Sequence, residues 1–244
     1  MHVSAALATR KSVRAFSDRQ VPAGIVREIL DLSAHAPSGG NLQPWRVYAL
    51  LGQARDELVR RVKAKLPRLP RGEPPEYNIH PPDLIEPYKS RYLRAAALMY
   101  LTAGISRDDM AARQRHLAKN WEFYGAPVGL IFTIHRSMEP GQWSDLGMYM
   151  QSAMLLARGY GLDTCAQEAW ALWPRTLRES LSIPDEQMVV CGMALGYADP
   201  SAPVNGFVSE RVPFEEFAVI LEAIETGAAG PPSVTARQPQ TFGD

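Results

Sequence analysis

The segment over residues 128–134 constrains the fold of this chain more than any other, because it is apolar or small almost throughout. A continuous apolar run rich in β-branched residues predicts a strand that is buried on both faces. Residues 47–51 and 188–195 predict two further strands, and the first of them stops at Gly52. Since helical patterns alternate with these strands, we expect a domain that mixes helices with a β-sheet.

Apolar residues recur at helical spacing in several other segments. Pro22 is well placed to open the first helix, and Pro174 opens a short one. Helices are predicted over residues 22–35, 54–62, 92–103, 110–124, 174–180 and 214–224. A further helix, over residues 144–158, takes Ser144 or Asp145 as its cap and is apolar nearly all round. Such a helix belongs in a core or in an interface between subunits.

Prolines crowd the stretch over residues 66–87. That density excludes both a regular helix and a central strand, so we expect a long excursion from the domain. Excursions of this length act as lids or wrap around partners, and the alternative is a disordered surface loop. We expect the domain to span residues 1–226, and the Gly-, Pro- and Thr-rich residues 227–244 to form a disordered tail.

Charge and cysteine content narrow the function classes. The 26 Lys and Arg residues balance 26 Asp and Glu residues, so no net charge draws the chain to nucleic acid or to an anionic membrane. No apolar run reaches the roughly 18 residues of a membrane span, and the first residues lack the apolar core of a secretory signal. Cys165 and Cys191 are too few for a thiolate metal site, and the histidines lack metal-ligand spacing. The sequence therefore predicts a metal-free protein of the reducing cytoplasm.

Residues 36–45 form a candidate binding loop between two prolines. Pro37 ends the preceding helix, and the Ser-Gly-Gly run after it exposes backbone N–H groups. Asn41 and Gln43 each carry a hydrogen-bond donor and an acceptor, which complements a heterocycle edge such as the pyrimidine ring of a flavin. The alternative interpretation is a helix-to-strand turn whose amides satisfy only the backbone.

A basic segment, residues 10–14, lies upstream of this loop. In an extended chain Arg10, Ser12 and Arg14 point to one side, so two guanidinium groups and a hydroxyl can converge on a phosphate. A solvated surface run is the alternative. The presence of the candidate binding loop one helix later favours the interpretation that this segment binds a phosphate.

These motifs resemble the signature positions of the FMN-dependent nitroreductase family, and they occur in the order found in that family. The resemblance covers roughly residues 8–224. It rests on Arg10-Lys11-Ser12-Val13-Arg14, on the loop from Pro37 to Trp45, and on Ala126-Pro127, Asp145-Leu146-Gly147, Gly161-Leu162-Asp163-Thr164 and Gly196-Tyr197.

The resemblance implies an α+β fold, with a central, mostly antiparallel sheet flanked by helices in an intertwined homodimer. It also implies non-covalently bound FMN, whose phosphate, ribityl chain and pyrimidine edge would contact Arg10, Lys11, Ser12 and Arg14. The other subunit would add Pro37, Ser38, Gly39, Asn41 and Gln43. Gln167 and Glu168 stand where the backbone N–H of the family meets flavin N5, and Arg211 resembles a C-terminal phosphate arginine. Some relatives have a lysine where this chain has Ser209, so the affinity for the phosphate would depend more on Arg10 and Arg211.

The activity implied by the resemblance is an oxidoreductase that uses NAD(P)H to reduce nitroaromatic or quinone-type acceptors. No Gly-x-Gly-x-x-Gly motif is present, so the nicotinamide nucleotide would be a transient substrate and the kinetics would be ping-pong. The flavin carries the chemistry, so no catalytic side chain is expected. Tyr88, Trp121 and Tyr124 are the candidate acceptor pocket. Alternatives are a reductive dehalogenase, a flavin-destroying enzyme, or a non-enzymatic flavin-binding protein.

Overall fold

A four-stranded sheet, in the strand order β1-β2-β4-β3, forms the centre of the chain. In the computed structural model, which describes residues 1–222, all three strand pairs are antiparallel. The strands are β1 (Trp45–Leu51), β2 (Val128–His135), β3 (Asp163–Gln167) and β4 (Gln187–Gly196). The expected α+β architecture with a central antiparallel sheet is confirmed. The short strand β3 was not predicted, because its residues are too polar to give an apolar run.

Seven helices accompany the sheet among the described residues. They are α1 (Val3–Thr9), α2 (Ala23–Ser33), α3 (Gly52–Lys65), α4 (Tyr88–Thr102), α5 (Met110–Ala118), α6 (Pro140–Gly159) and α7 (Pro174–Leu181). The prediction over residues 110–124 holds only for its first part, because a 3-10 helix over Lys119–Gly125 follows α5. Phe123 and Tyr124 in that segment adopt positive φ angles of 51° and 52°, which an α-helix does not allow.

Two predictions on helix ends are wrong. The long helix α6 begins at Pro140 rather than near Ser144, because Glu139 forms a reciprocal capping box with Gln142 one turn earlier. The predicted helix over residues 214–224 is only a 3-10 turn, Phe214–Glu216, in the part that the structure describes. Its apolar residues are exposed there, Val219 at 79%, and a short helix without packing is not stable in water. Residues 223 and 224 lie outside the described residues.

The sheet separates two hydrophobic cores, which explains why β2 is apolar throughout. Leu130 and Phe132 belong to the core beneath α2 and α6, whereas Ile131 belongs to the core that contains Trp121 and Trp170. Adjacent residues of a strand point to opposite faces, so a strand between two cores needs apolar residues at successive positions. The predicted burial of β2 on both faces is confirmed.

Two glycines let a pair of aromatic rings lie directly on the sheet. Phe123 and Trp170 are stacked with ring centroids 4.3 Å apart. A Cβ atom on Gly129 would lie 2.4 Å from the Phe123 ring, and one on Gly192 would lie 2.3 Å from Trp170. The aromatic pair therefore holds the 3-10 helices Lys119–Gly125 and Glu168–Leu172 close to the strands.

The described chain falls into two compact units, one over Met1–Ser209 and one that starts at Glu210. Residues 66–87 contain neither helix nor strand, as their prolines predict. The expected tail over residues 227–244 lies outside the described residues. Among residues 1–222, no helix is long and apolar enough to cross a membrane.

Candidate functional site

The basic segment is extended and lies beside β3. Ser12 forms a parallel bridge with Thr164, and the backbone N–H of Val13 donates to the Thr164 carbonyl at 3.0 Å. Val13 is fully buried, whereas its neighbours Ser12 and Arg14 are half-buried. The alternation inferred from the sequence is therefore present, with Val13 turned into the core and the polar side chains turned away from it.

Arg10, Ser12 and Arg14 all act electrostatically on the buried thiol of Cys165, which places their side chains in its neighbourhood. Burial raises the pKa of this thiol, while Arg14, a hydrogen bond from Ser12 and Arg10 act in the opposite direction. The Arg14 guanidinium also donates to the Ser12 carbonyl at 3.2 Å and lies 5.5 Å from the ring centroid of Phe207. The two arginines and the serine thus form one cationic cluster at the edge of β3.

Asn205 holds the basic segment in place. Its Oδ1 accepts from the Arg14 backbone N–H at 2.8 Å, and its Nδ2 donates to the carbonyls of Ala15 at 2.8 Å and Asp199 at 2.9 Å. The Lys11 ammonium donates to the Asn205 carbonyl, so its charge is directed at Asn205. Asn205 is only 6% exposed. The sequence carries no motif that predicts this role.

The candidate binding loop faces away from the chain. Pro37, Asn41 and Gln43 are exposed, and Leu42 at its tip is 55% exposed. Gly40, Asn41 and Gln43 adopt positive φ angles of 58°, 57° and 46°. Inside the loop, Ser38 Oγ accepts from the Gln43 backbone N–H at 3.1 Å. The side-chain amides of Asn41 and Gln43 therefore lie where a second molecule can reach them.

Asp145 anchors the loop to α6. Its Oδ2 accepts from the Gly39 backbone N–H at 3.2 Å, and the residue is 4% exposed. Asp145 was predicted as a helix cap, but it lies within the second turn of α6. Since the carboxylate occupies the Gly39 N–H in the single chain, Gly39 contributes to the loop conformation.

The end of β3 lines a cavity of about 550 Å³. Ala166 and Glu168 point outward into it, whereas Gln167 between them is 3% exposed and points inward. The Gln167 Nε2 group donates to the Asn120 carbonyl at 2.7 Å. The side chain of Gln167 is therefore turned into the core.

The predicted acceptor residues do not form one pocket. Tyr88 is the first residue of α4 and is 57% exposed. Trp121 is 6% exposed, and its Nε1 group donates to the Ala169 carbonyl at 3.0 Å. Tyr124 is 8% exposed, and burial raises the pKa of its phenol. Within the described chain Trp121 and Tyr124 thus pack in the core.

Arg211 belongs to the second unit. It is exposed there, and its guanidinium donates to the Glu210 carbonyl at 2.9 Å. Among the described residues 1–222, no cluster of three metal-ligating side chains occurs.

The chain belongs to the nitroreductase family, because the sequence model of this family matches residues 7–197. It is therefore an oxidoreductase enzyme. It is 40% identical to the chloronitrobenzene nitroreductase of Comamonas testosteroni, with 87% of this chain and 93% of the relative covered. It is 37% identical to the 4-nitrobenzoate reductase of Pseudomonas putida, with 86% and 90% covered.

Solved structures of nitroreductases share the fold. The FMN- and NADPH-dependent nitroreductase NfnB from Sphigopyxis sp. strain HMH has a TM-score of 0.88 and 40% identity, with 91% of this chain and 99% of the other covered. The FMN-dependent NfnB of Mycobacterium smegmatis, solved in complex with NADPH, has a TM-score of 0.85 and 27% identity, with 90% and 97% covered.

Proposed function

We propose that this chain binds FMN and uses NAD(P)H to reduce nitroaromatic or quinone-type acceptors. The observation that carries the proposal is the cationic cluster of Arg10, Ser12 and Arg14 beside the outward-facing end of β3. The names of the relatives, which include nitroreductases of neutral and of carboxylated nitroarenes, support the same activity.

The residues present fit FMN. The guanidinium groups of Arg10 and Arg14 and the Ser12 hydroxyl match the oxygens of a phosphate, and charge-assisted hydrogen bonds of this kind are strong. Burial raises the pKa of the Cys165 thiol, so the thiol carries no charge that would neutralise these cations, and they can bind an anionic ligand. When bound, FMN supplies the hydride chemistry between NAD(P)H and the acceptor. The side chains of the protein bind and orient NAD(P)H and the acceptor.

We also propose a homodimer, in which the candidate binding loop of each chain completes the site of its partner. Two observations support it. The loop presents Asn41 and Gln43 away from its own chain, and α6 leaves Met148 38% exposed although the helix is apolar on several sides. Arg211 remains a proposed phosphate ligand. Both cysteines are free and buried, which supports the cytoplasmic location.

The test uses the purified, FMN-loaded protein under anaerobic conditions. We expect NADH or NADPH to bleach the flavin absorbance and a nitroarene or a quinone to restore it. Initial rates at several acceptor concentrations should give parallel double-reciprocal plots, because the nucleotide and the acceptor use one site in turn. A bound flavin that neither nucleotide bleaches would instead favour a non-enzymatic flavin-binding protein.

Sedimentation of the same protein at micromolar concentration tests the dimer. Obligate interfaces commonly bury more than about 2,000 Å², which keeps the chains associated at that concentration. A stable, FMN-loaded monomer would contradict the two-chain site.

A further inference from the structure

The 3-10 helix Glu168–Leu172 joins β3 to α7 and forms part of the wall of the cavity at the end of β3. Glu168, its first residue, lines this cavity together with Ala166. The hydrogen bonds of a 3-10 helix have poor geometry, so a helix of five residues does not hold its own position. The position of the Glu168 backbone therefore depends on what the rest of the chain packs against this helix.

The first half of the 3-10 helix is held from the side of the sheet. The Trp121 Nε1 group donates to the Ala169 carbonyl at 3.0 Å, and the ring of Trp170 lies over Gly192 of β4. Trp121 and Trp170 are both buried. These contacts fix the start of the helix against the strands, and a different part of the chain holds its end.

The excursion over residues 66–87 holds the end of the 3-10 helix. The Glu73 N–H donates to the Leu172 carbonyl at 2.6 Å. Gly72, which precedes Glu73, has a φ angle of 85°, and a Cβ atom there would lie 2.5 Å from the same carbonyl oxygen. Only glycine combines that φ angle with so close an approach. The backbone of the excursion thus lies directly against the last residue of the 3-10 helix.

The Glu73 carboxylate binds the element that follows, α7. It is 6% exposed and accepts from the backbone N–H groups of Arg175 at 2.8 Å and Thr176 at 3.0 Å, and from the Thr176 hydroxyl at 2.6 Å. These N–H groups belong to the first turn of α7, whose N-cap residue Trp173 gives no side-chain cap. Glu73 therefore spans the junction between the 3-10 helix and α7 and holds both sides of it.

Glu76 and Tyr77 fix the excursion itself to the sheet. The Glu76 carboxylate accepts from the Val189 N–H at 3.1 Å, and the Tyr77 hydroxyl donates to the Val190 carbonyl at 2.5 Å. Both of these partners belong to β4. The carboxylate of Glu73 is thus carried by a segment that the sheet holds in place.

We propose that Glu73 is a positioning residue for the reaction, because it sets the position of the Glu168 backbone relative to the flavin. The inference rests on the proposed function, in which FMN binds at the end of β3 with its N5 atom at the backbone of Glu168. FMN exchanges hydride at N5, and a displacement of about 1 Å near a reacting centre can lower a rate by about a hundredfold. Glu73 is not among the residues that line the cavity, so it acts through the 3-10 helix.

The test compares three variants of the FMN-loaded protein by stopped-flow reduction of the flavin with NADH or NADPH. We expect Glu73→Ala to lower the limiting rate about tenfold, with an unchanged FMN dissociation constant because the phosphate contacts lie in the basic segment. Glu73→Gln keeps an oxygen that accepts from the N–H groups of α7, so it should retain most of the rate. Glu179→Ala is the matched control, since the Lys65 ammonium lies 3.7 Å from the Glu73 carboxylate and 3.5 Å from that of Glu179.

A full rate in Glu73→Ala, or an equal loss of rate in Glu73→Gln, would overturn the inference. If Glu73→Ala does not load FMN, Thr176→Val takes its place. This variant removes only the hydroxyl that donates to Glu73, so we expect a smaller loss of rate, and a full rate would again contradict the inference.

Two further readouts do not need a nucleotide. The midpoint potential of the flavin, measured by dithionite titration beside a reference dye, should shift in Glu73→Ala and not in Glu179→Ala, because a displaced N–H group changes the environment of N5. Amide hydrogen exchange of Trp173, which donates to the Trp170 carbonyl at 3.1 Å, should become faster in Glu73→Ala, while that of Leu130 in β2 should not. An unchanged potential would overturn the inference. If both readouts change as expected but neither nucleotide reduces the wild-type flavin, the proposed function fails and the positioning role stands.

Discussion

The basic segment over residues 10–14 and the candidate binding loop over residues 36–45 carry most of the family signature, but the chain supports them differently. The basic segment is bridged to β3 and hydrogen-bonded to a buried asparagine, Asn205. The loop is exposed, and one carboxylate, that of Asp145, joins its Gly39 to α6. The contacts that hold the basic segment in place therefore all come from its own chain.

The difference shows which half of the site needs a partner. A segment with its backbone hydrogen bonds satisfied can bind an anion without rearrangement, because its cost of ordering is met by folding. The exposed loop residues with positive φ angles, Gly40, Asn41 and Gln43, are supported by hydrogen bonds within the loop, such as the one from the Gln43 N–H to Ser38 Oγ. We therefore expect substitutions around the basic segment to act on the folding and FMN binding of each chain, and substitutions in the loop to act weakly on stability.

The largest effect is expected for Asn205→Ala. The substitution leaves the Arg14 N–H without its partner, and an unsatisfied buried group costs about 1–3 kcal/mol. The carbonyls of Ala15 and Asp199 each lose one hydrogen bond and keep a second one, from the backbone N–H of Asp199 at 3.0 Å and of Ala202 at 3.4 Å. We expect the free energy of unfolding, measured by urea denaturation, to fall by about 3 kcal/mol. Gln20→Ala at an exposed position is the control. If the free energy of unfolding fell by no more than it does in the control, Asn205 would not hold the basic segment in place.

Arg10→Ala tests the phosphate role of the basic segment. Loss of a charge-assisted hydrogen bond of about 1.5–3 kcal/mol should raise the FMN dissociation constant roughly ten- to a hundredfold. Fluorescence titration of the apoprotein with FMN measures it, and Arg107→Ala, at an exposed site outside the cluster, should change nothing. An unchanged constant in Arg10→Ala would defeat the assignment.

Asp145→Ala releases the loop from α6. The hydrogen bond from Gly39 to this carboxylate is lost, and we expect a destabilisation of about 1.5 kcal/mol, since the freed N–H can reach water. Amide hydrogen exchange of Gly39 should become faster, while that of Val13 in the basic segment should not. Equal acceleration at both positions would show that the two regions are one cooperative unit.

The smallest effect is expected for Gly40→Ala. A Cβ atom would have room, with Leu42 Cγ at 4.0 Å, but the φ angle of 58° disfavours any side chain. The expected cost is about 1 kcal/mol. Gly24→Ala, in the first turn of α2 where no atom lies within 4 Å, should have the opposite sign. Thermal unfolding of both variants measures the contrast.

Sequence reasoning succeeded where a single segment carries its own pattern. The strand β2 and the extended basic segment follow from the order of apolar and polar residues alone. It failed where the outcome depends on packing. The apolar residues after Phe214 were predicted to form a helix, but they are exposed in the described chain. Trp121 was predicted to line the acceptor pocket, but it packs against Trp173.

The supports of the site could not be predicted, because they join residues far apart along the chain. Asn205 binds a segment 191 residues away, and Tyr77 reaches a carbonyl 113 residues away. Such pairs require the topology of the sheet to be known first. The prolines around Tyr77 predict only the absence of regular structure, while the acidic residues among them determine where the excursion docks.

The glycines beneath the Phe123 and Trp170 rings bear on how this enzyme can be altered. A methyl group at residue 192 would have to displace Trp170, and Trp170 lies in the 3-10 helix that begins with Glu168. The distance between the sheet and the 3-10 helix that carries Glu168 is thus limited by the absence of two side chains. Mutant libraries of this enzyme should therefore keep Gly129 and Gly192 constant.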